Sequence, residues 1–401
     1  MSVESNPKKL NVICLSNQIW TYPLWTNKKH VMSRLSKMGY NVLFVDPPIT
    51  TGRLFFRQLF KGQWSFFRLI TQVMKDSGLH IYSPLDCLPT RDKLAKWHAR
   101  YINLLASQFF DKNCKTVLWV YHVEIEGLED YLKYVKHDFL VYDCVDNYAG
   151  FPRYDTPAKK DKIVRTEKML ATRANIVFST APGLITRLKK YNSNTYYTPN
   201  VGDFEKFKDT LLIKDLPDDL ANIPSPRIGF TGAIDEYKFD RELFKKIAGD
   251  YPGYSFVIIG PMALKDREAD LKQLGLDGFK NIYFLGTKDF SVLQNYLAGF
   301  DVMIIPYQLN DYTVGGCFPV KFHEELAAGI PVVVTDLPAY TPFSSVCYIS
   351  KSYNEFSHNI RNAIEENSAE KVAARQAVAR QNDWGTKVNT MLGYIFEKLN
   401  A

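Results

Sequence analysis

The sequence predicts an α/β chain of two doubly wound, Rossmann-like domains that face a central cleft. The chain has 401 residues, which is too many for one ordinary core and suits two domains of similar size. Short β-rich runs alternate with stretches of helical periodicity in both halves, as in parallel sheets covered by helices. A polar, proline-bearing stretch at residues 208–226 separates the two series and indicates an interdomain connection.

The first half supplies the strands of one parallel sheet. Its short apolar runs have the length and composition of buried strands, and longer helical patterns separate them. We predict strands at residues 11–15, 41–45, 80–82, 116–120, 139–142 and 175–179. The helices predicted between them include residues 28–38, 91–110 and 159–171. Residues 1–207 are therefore assigned to the first domain.

The second half repeats this alternation. We predict strands at residues 228–231, 256–260, 282–285, 301–305 and 331–335, with helices at 241–248, 290–298 and 320–328. Residues 227–375 are assigned to the second domain. The tail, residues 376–401, is expected to form a helix that packs back on the first domain.

Composition limits the classes of protein that this chain can belong to. Hydrophobic residues make up 46% and charged residues 23%, which is ordinary for a globular protein. The six cysteines and seven histidines form no C-x-x-C pair and no metal-ligand spacing, so we expect a reducing compartment, no metal and no cofactor. The first residues do not read as a signal peptide, and no apolar run approaches about 18 residues. The expected location is the cytoplasm.

Charge is distributed unevenly along the chain. Residues 1–200 contain 29 Lys and Arg against 16 Asp and Glu, a net charge of +13. The remaining residues contain 21 and 27, a net charge of −6, and the two sum to the +7 of the whole chain. Such asymmetry predicts that the first half faces an anionic partner. Phospholipid, a lipid phosphate and nucleic acid are all candidates on charge alone.

The segment at residues 310–338 has the strongest chemical pattern. A glycine-containing loop leads to a helix that begins near Pro319 and ends at Gly329, before a buried strand. A helix N-terminus at the carboxyl edge of a parallel sheet favours phosphate, and Lys321 adds a positive charge. Glu324, one turn further on, can accept hydrogen bonds from both hydroxyls of a ribose. An isolated K-x-x-E is usually a solvated pair, but this loop–helix–strand frame favours a binding site.

These residues also carry a family resemblance. The pattern P-x-K-F-x-E-x-L-A-A-G-x-P-V-V resembles the nucleotide-binding signature of the group-one glycosyltransferases of the GT-B fold. RIGFTGAIDEYKFDREL, YSFVIIGP and NIYFLGTKDFSVLQNYLAGFDVMIIPY resemble other segments of that family. In the first half, TPNVGDFEKF resembles the segment that closes the N-terminal domain. VYDCVDNYAGF is similar to a segment of some bacterial polysaccharide-assembly members.

The resemblance implies a nucleotide-sugar donor site in the second domain. Glu324 corresponds to the ribose-binding glutamate, and the turn at residues 231–233 to the loop that approaches the diphosphate. The residues that we assign to donor binding are Gly232, Ala233, Lys238, Thr313, Lys321 and Glu324. Two positions depart from the family pattern. Gly316 stands where many retaining members have a second glutamate, and Ala233 stands where they have an arginine, so the stereochemical outcome stays open.

The first domain is expected to bind the acceptor. Asp143 and Asp146 follow a predicted strand, where a carboxylate can deprotonate a hydroxyl, and we prefer Asp146 as the catalytic base with Asp143 in reserve. The alternative is that both only cap or brace the loop. His30, beyond an aromatic loop at residues 17–25, is a third catalytic candidate. A lone histidine at a helix start is more often a cap or a packed residue.

Residues 53–75 interleave aromatic residues with cations, as in a helix that lies in the interface of an anionic membrane. The alternative is a core helix with ordinary surface cations. The residues that we predict to contact the membrane are Arg53, Arg57, Lys61, Trp64 and Arg68. No recognised nucleic-acid motif accompanies them, so nucleic acid is not expected as a partner.

Together these features predict a hexosyltransferase that acts at the cytoplasmic face of a membrane. It would move a sugar from a nucleotide-diphosphate sugar to a lipid-linked or polysaccharide acceptor. A nucleotide-sugar epimerase on the same fold and a non-catalytic nucleotide-sugar-binding assembly protein are the alternatives. A nicotinamide-dependent oxidoreductase is disfavoured because no G-x-G-x-x-G follows the first strand of either half.

Overall fold

A computed structural model describes residues 9–22, 25–50, 59, 62, 64–86, 91–264, 267–268 and 271–400. The chain divides into two compact units. The N-terminal unit comprises Met1–Thr198 and Val388–Ala401, and the C-terminal unit comprises Pro199–Lys387. Each unit is an α/β body built on a mainly parallel sheet, so the predicted fold class is confirmed.

The unit boundaries lie elsewhere than the sequence predicted. The C-terminal unit begins at Pro199, and residues 208–226 belong to it rather than forming a connection. The reason is packing: Leu220 and Ile223 are buried in the core of this unit. The Arg227 guanidinium also donates to the carbonyl oxygen of Ile223 at 2.7 Å. At the other end, the chain returns to the N-terminal unit from Val388 rather than from residue 376.

The N-terminal unit is built on a sheet of eight described strands in the order β10-β9-β8-β7-β1-β2-β5-β4, parallel throughout except for β4. The two-residue strands β3 and β6 pair separately. The strands of this unit are β1 Leu10–Leu15, β2 Asn41–Val45, β3 Ile49–Thr50, β4 Val73–Asp76, β5 Leu79–Tyr82, β6 Leu85–Asp86, β7 Lys115–Val120, β8 Phe139–Cys144, β9 Ile176–Ser179 and β10 Thr195–Tyr197. β1, β8 and β9 are buried along their whole length, as in a sheet covered on both faces.

Helices connect these strands, and several begin at residues that favour a helix start. Thr156 accepts a hydrogen bond from the Lys159 amide and is followed by proline, and Ser65 caps its helix in the same way. The helices are α1 Asn27–Lys37, α2 Phe66–Thr71, α3 Arg91–Phe109, α4 Leu128–Tyr134, α5 Pro157–Arg173 and α6 Pro182–Leu188, and Tyr148–Gly150 forms a 3₁₀ turn.

The C-terminal unit has a six-stranded parallel sheet among its described residues, in the order β15-β12-β11-β16-β17-β18. A two-residue antiparallel pair, β13 and β14, lies apart from it. The strands are β11 Arg227–Thr231, β12 Ser255–Ile259, β13 Ala263–Leu264, β14 Arg267–Glu268, β15 Ile282–Phe284, β16 Val302–Ile305, β17 Val332–Thr335 and β18 Tyr348–Ser350. The strand order reverses between the adjacent strands β11 and β16. Doubly wound sheets bind ligands at such a reversal point.

The longest helices of the C-terminal unit are its last three. The helices are α7 Phe204–Phe207, α8 Asp218–Ala221, α9 Arg241–Asp250, α10 Leu293–Leu297, α11 Asp311–Gly316, α12 Lys321–Ala327, α13 Tyr353–Glu365, α14 Ala369–Gln381 and α15 Trp384–Asn400, with 3₁₀ turns at Thr210–Leu212 and Pro338–Phe343. Gly329 follows the C-cap of α12, with a φ of +77° that suits glycine and a carbonyl that accepts two hydrogen bonds from Arg375. From Val388 onward α15 belongs to the N-terminal unit, where Tyr394 stacks on Tyr196.

Two classes of feature are absent from the described part of the chain. None of its helices combines the length and the apolar character needed to cross a membrane. Its His, Cys, Asp and Glu side chains also form no cluster of three or more that could hold a metal ion.

Candidate functional site

The turn after β11 is built so that two backbone segments touch. Gly232 has a φ of +132°, and its amide donates to the carbonyl of Ile259 at 2.8 Å. A Cβ on Gly260 would lie only 2.1 Å from the Gly232 carbonyl oxygen, so position 260 also requires glycine. The sequence pattern identified Gly232. It did not identify Gly260, although that residue ends the FVIIG run.

Lys321 lies against this turn. Its ammonium donates to the carbonyl oxygen of Thr231 at 2.6 Å and lies 3.7 Å from the centroid of the Phe230 ring. A Cβ at Gly232 would come within 3.2 Å of Lys321 Nζ, so glycine leaves room for this cation. Burial lowers the pKa of Lys321 to about 7, because removal from water disfavours the charged form. The structure therefore brings the predicted donor residues Gly232 and Lys321 together.

Glu325 is a buried acid that the sequence analysis did not single out. It follows Lys321 by four residues on α12, and its Oε1 accepts a hydrogen bond from the Thr231 hydroxyl at 3.4 Å. Burial raises the pKa of Glu325 to about 8, and the nearby Lys321 opposes that rise. The i, i+4 spacing of Lys and Glu was the available sequence signal.

Glu324, the predicted ribose ligand, is a buried residue in the first turn of α12. Gly202 packs directly against this turn, because a Cβ there would lie 2.7 Å from the carbonyl carbon of His323 and 2.8 Å from the Glu324 amide nitrogen. His323 is enclosed by aromatic rings, including Phe318 at 5.3 Å, and burial lowers its pKa to about 3. A neutral, apolar wall therefore fixes the helix that carries Glu324.

Lys238 is held by its own turn. Its ammonium lies 3.0 Å from the Asp235 carboxylate. Burial opposes the charged form, but Tyr307 and Asp235 outweigh it, so the pKa of Lys238 is raised. The Lys238 carbonyl accepts the Gln308 amide at 2.7 Å, which joins this turn to the loop after β16. The structure thus places a cation beside this loop, already paired with a carboxylate.

Thr313 has a structural role that the sequence analysis did not foresee. It forms a capping box with Asn310 at the start of α11, and its hydroxyl donates to the Gln308 carbonyl at 2.5 Å. It is buried, so its hydroxyl supports the loop in this structure instead of extending toward a donor. Ala233 is half-buried in the β11 turn, and Gly316 ends α11 as a buried residue.

The two candidate bases have different environments in the N-terminal unit. Asp143 lies within β8, is fully buried, and accepts a hydrogen bond from the Trp119 indole at 3.2 Å. Asp146 lies in the loop after β8 and is half-buried. Burial lowers the pKa of Lys28, and Asp146 is the largest influence opposing that shift, so the two charges are near neighbours. Of the two aspartates, Asp146 is the more exposed.

His30 is fully buried on α1, where its Nδ1 lies 3.2 Å from Arg34. It is therefore a packed residue in this unit, which is the alternative stated for it. The sequence analysis missed His122, which follows β7 and has its Nε2 3.0 Å from the Glu124 carboxylate. Glu124 also accepts a hydrogen bond from Arg153 at 2.6 Å. The signal that could have found His122 is its position just after a buried strand.

Two of the predicted membrane contacts are wrong. Trp64 and Arg68 are both buried, and the Arg68 guanidinium lies 4.4 Å from the centroid of the Trp64 ring. Arg68 donates to the Ser83 hydroxyl at 3.1 Å and lies 4.0 Å from the Asp46 carboxylate, so tertiary partners draw it inward. The predicted contacts Arg53, Arg57 and Lys61 lie outside the described residues.

Comparison with known families identifies the C-terminal unit. Residues 225–364, which contain the β11 turn and α12, match the family described as "Glycosyl transferases group 1". Over these residues the chain is similar to the group 1 glycosyltransferases. This match confirms the predicted resemblance, and the β11 turn, Lys321 and Glu324 all lie inside the matched region.

Relatives agree with this assignment. The chain is 26% identical over 274 residues to "Putative teichuronic acid biosynthesis glycosyltransferase TuaH" of Bacillus subtilis (strain 168), a match that covers 64% of this chain and 66% of that one. The chain thus matches just under two thirds of the length of this relative.

Solved structures confirm the GT-B fold. Sucrose-phosphate synthase (tll1590) from Thermosynechococcus elongatus aligns over 98% of this chain and 99% of its own, with a TM-score of 0.69 at 13% identity. Anabaena Alr3699/HepE in complex with UDP and glucose aligns over 96% and 99%, with a TM-score of 0.65 at 15% identity.

Proposed function

We propose that this chain is a glycosyltransferase that transfers a hexose from a nucleotide-diphosphate sugar to a lipid-linked or polysaccharide acceptor at the cytoplasmic face of a membrane. The observation that carries the proposal is the meeting of Lys321 with the Gly232 turn, one helical turn before Glu324. A half-buried cation beside a glycine turn suits a diphosphate, and a carboxylate one turn away suits a ribose.

The donor half of the proposal draws on site chemistry and on a neighbour. Lys321 and Lys238 would stabilise the charge that develops on the departing diphosphate. Alr3699/HepE was solved with UDP and glucose, which favours a uridine donor here as the first candidate. We propose that no divalent metal is required, because the two lysines supply the positive charge.

The acceptor half draws on the first half of the chain. Its net charge of +13 suits an acceptor that carries phosphate or lies on an anionic surface. The name of the relative TuaH refers to the biosynthesis of teichuronic acid, which favours a polysaccharide acceptor. Asp146 would serve as the base if the reaction inverts the sugar.

A thermal-shift screen tests the donor half. The protein is heated with UDP, GDP, ADP or dTDP, and with their common sugars, without added metal. A ligand that binds only the folded state raises the unfolding midpoint. At one hundred times its Kd it adds about 2.7 kcal/mol to the free energy of unfolding. We expect a clear shift with one nucleotide. No shift with any of them, with or without Mg²⁺, would contradict the donor site.

Transfer assays test the acceptor half. Asp146→Asn should slow sugar transfer at least tenfold while the nucleotide-induced thermal shift stays the same. Asp155→Asn, an exposed acid in the same unit, is the matched control. Transfer at the wild-type rate by Asp146→Asn would exclude this residue as the base.

A further inference from the structure

The N-terminal unit carries its most exposed large apolar side chains on two helices. On α2, Phe66 is 78% exposed, Phe67 is 70% exposed and Ile70 is 64% exposed. On α3, Trp97 is 64% exposed and Leu104 is 50% exposed. Among the described residues of this unit, no other large apolar side chain reaches 50%. We call these five residues the α2–α3 apolar face.

The two helices meet, so the five side chains belong to one surface. The Tyr101 hydroxyl on α3 donates to the carbonyl of Thr71, the last residue of α2, at 3.0 Å. Trp97, Tyr101 and Leu104 recur at the spacing that places helical residues on one side. That side of α3 therefore adjoins the carboxyl end of α2.

Both helices are anchored by their opposite sides. Arg68 turns inward from α2 to Ser83 and Asp46, and the Ser65 side chain caps the helix. On α3, Ala95, Ala99 and Ile102 are buried. The exposed aromatics are thus held outward by well-packed helices, and exposed apolar patches of this kind mark interaction sites.

Two cations of α3 lie beside aromatic rings, one of which is Trp97 of this face. The Arg100 guanidinium lies 5.1 Å from the centroid of the Trp97 ring, and the Lys96 ammonium lies 5.5 Å from that of Tyr134. The α2 sequence FFRLIT contains no acid. Aromatic and aliphatic side chains with adjacent cations match the interface of an anionic bilayer, where apolar groups enter the acyl boundary and cations meet the headgroups.

We infer that the α2–α3 apolar face inserts into an anionic membrane, with Arg100 and Lys96 at headgroup level. The inference rests on the proposed function, because a membrane-bound acceptor requires the enzyme at the bilayer. It also revises the predicted contact: Trp64 and Arg68 brace α2 from within, and α3 contributes two of the five residues of the face.

Vesicle partition tests this inference on the full chain. Sedimentation with vesicles of phosphatidylcholine alone, or with 30% phosphatidylglycerol, would compare wild type with the triple variant Phe66→Ser, Phe67→Ser, Ile70→Ser and the double variant Trp97→Ser, Leu104→Ser. We expect each variant to lose about tenfold in partition onto the anionic vesicles, since each exposes less apolar surface to the bilayer. Leu212→Ser, which removes a 73% exposed leucine from the C-terminal unit, should partition like wild type.

Fluorescence locates α3 directly. Brominated lipid should quench wild-type tryptophan emission, and Trp97→Phe should remove most of that quenching while still binding vesicles. Equal quenching in both proteins would exclude α3 from the bilayer. Equal partition of wild type and both serine variants would overturn the whole inference.

Two measurements separate this inference from its alternatives. The nucleotide-induced thermal shift should be unchanged in the serine variants, so loss of vesicle binding with a retained shift supports the surface without touching the donor site. If the serine variants keep both vesicle binding and the nucleotide-induced shift, the assignment of the α2–α3 apolar face to the membrane is contradicted. The proposed function is not affected by that outcome. Size-exclusion chromatography tests whether a second copy of the chain covers this face instead. A dimeric wild type together with monomeric serine variants would assign the face to that second copy and overturn the inference.

Discussion

At the scale of single residues, the two consecutive glutamates of α12 have different environments. Glu324 is the residue that the family pattern assigns to the ribose. Glu325 is enclosed beside Lys321 and Thr231, with a pKa raised to about 8 by burial. We interpret Glu325 as the partner that moderates the charge on Lys321. The pattern led to Glu324, but the role of Glu325 depends on burial that sequence spacing does not show.

Replacing Glu324 tests its contact with the ribose. Glu324→Ala should weaken nucleotide binding about tenfold to a hundredfold, because hydrogen bonds to a charged group contribute about 1.5–3 kcal/mol each. Isothermal titration calorimetry with the nucleotide identified by thermal shift would measure this loss. Glu324→Gln keeps the shape and one acceptor, so its nucleotide affinity should lie between those of wild type and Glu324→Ala. Wild-type affinity in Glu324→Ala would exclude the ribose contact.

Glu325 also predicts how stability depends on pH. Its folded pKa of about 8 lies above the ordinary 4.5, so the folded state keeps a proton that the unfolded state releases. The stability from this group is fully present below about pH 4.5 and is lost as pH rises toward 8. Glu325→Gln cannot titrate, so the free energy of unfolding should fall less between pH 5 and pH 7 than in wild type.

The pH window avoids the opposing lysine. The pKa of Lys321 is lowered to about 7, so its folded form loses a proton above that pH while the unfolded form keeps it. Stability from Lys321 therefore changes mainly above pH 7, in the opposite direction. Urea unfolding at pH 5, 6 and 7 would measure the difference, followed through the transition that the nucleotide shifts. Parallel pH profiles for wild type and Glu325→Gln would show that Glu325 ionises normally.

At the scale of elements, the loop between β16 and α11 is held by side-chain caps. Asn310 caps α11 and also donates to the Tyr237 carbonyl at 2.7 Å, which ties the loop to the turn that carries Lys238. Asn310→Ala should cost about 1 kcal/mol of stability through the lost cap. It should also weaken nucleotide binding severalfold, because the turn loses its support.

A second cap in the same unit is the matched control. Ser352 caps α13 by accepting the Glu355 amide, and Ser352→Ala should cost a similar stability. Nucleotide titration should show weaker binding for Asn310→Ala only. Equal affinity in both variants would show that the loop cap has no part in the donor site.

Elements also show where sequence reasoning succeeds and where it stops. The main parallel strands are apolar runs buried on both faces, so their composition reveals them. Strand β4 lies at the sheet edge as VMKD, whose polar residues gave no strand signal. Residues 208–226 appeared to be a linker because they are polar, yet Leu220 reaches the core. Arg68 appeared exposed because arginine usually is, and only its partners Trp64, Ser83 and Asp46 explain its burial.

At the scale of the whole molecule, the uneven charge separates two kinds of binding. The first half has a net charge of +13 and carries the α2–α3 apolar face. The second half has a net charge of −6, yet it contains the predicted site for an anionic nucleotide. Attraction there must come from local cations such as Lys321, because the net charge of that half repels an anion.

This separation predicts two different responses to salt. Exposed charges are screened beyond about 10 Å at 0.1 M salt and beyond about 3 Å at 1 M, whereas buried charges are screened much less. Raising sodium chloride from 50 to 500 mM should therefore reduce partition onto anionic vesicles at least tenfold. Nucleotide affinity depends on Lys321, which is half-buried and bonded to the Thr231 carbonyl, so this affinity should change by less than threefold because partly buried charges are also screened less. Vesicle sedimentation and calorimetry on the same preparation would measure both. If nucleotide affinity fell as steeply as vesicle binding, the donor phosphates would be held by exposed cations, and Lys321 would not be their main ligand.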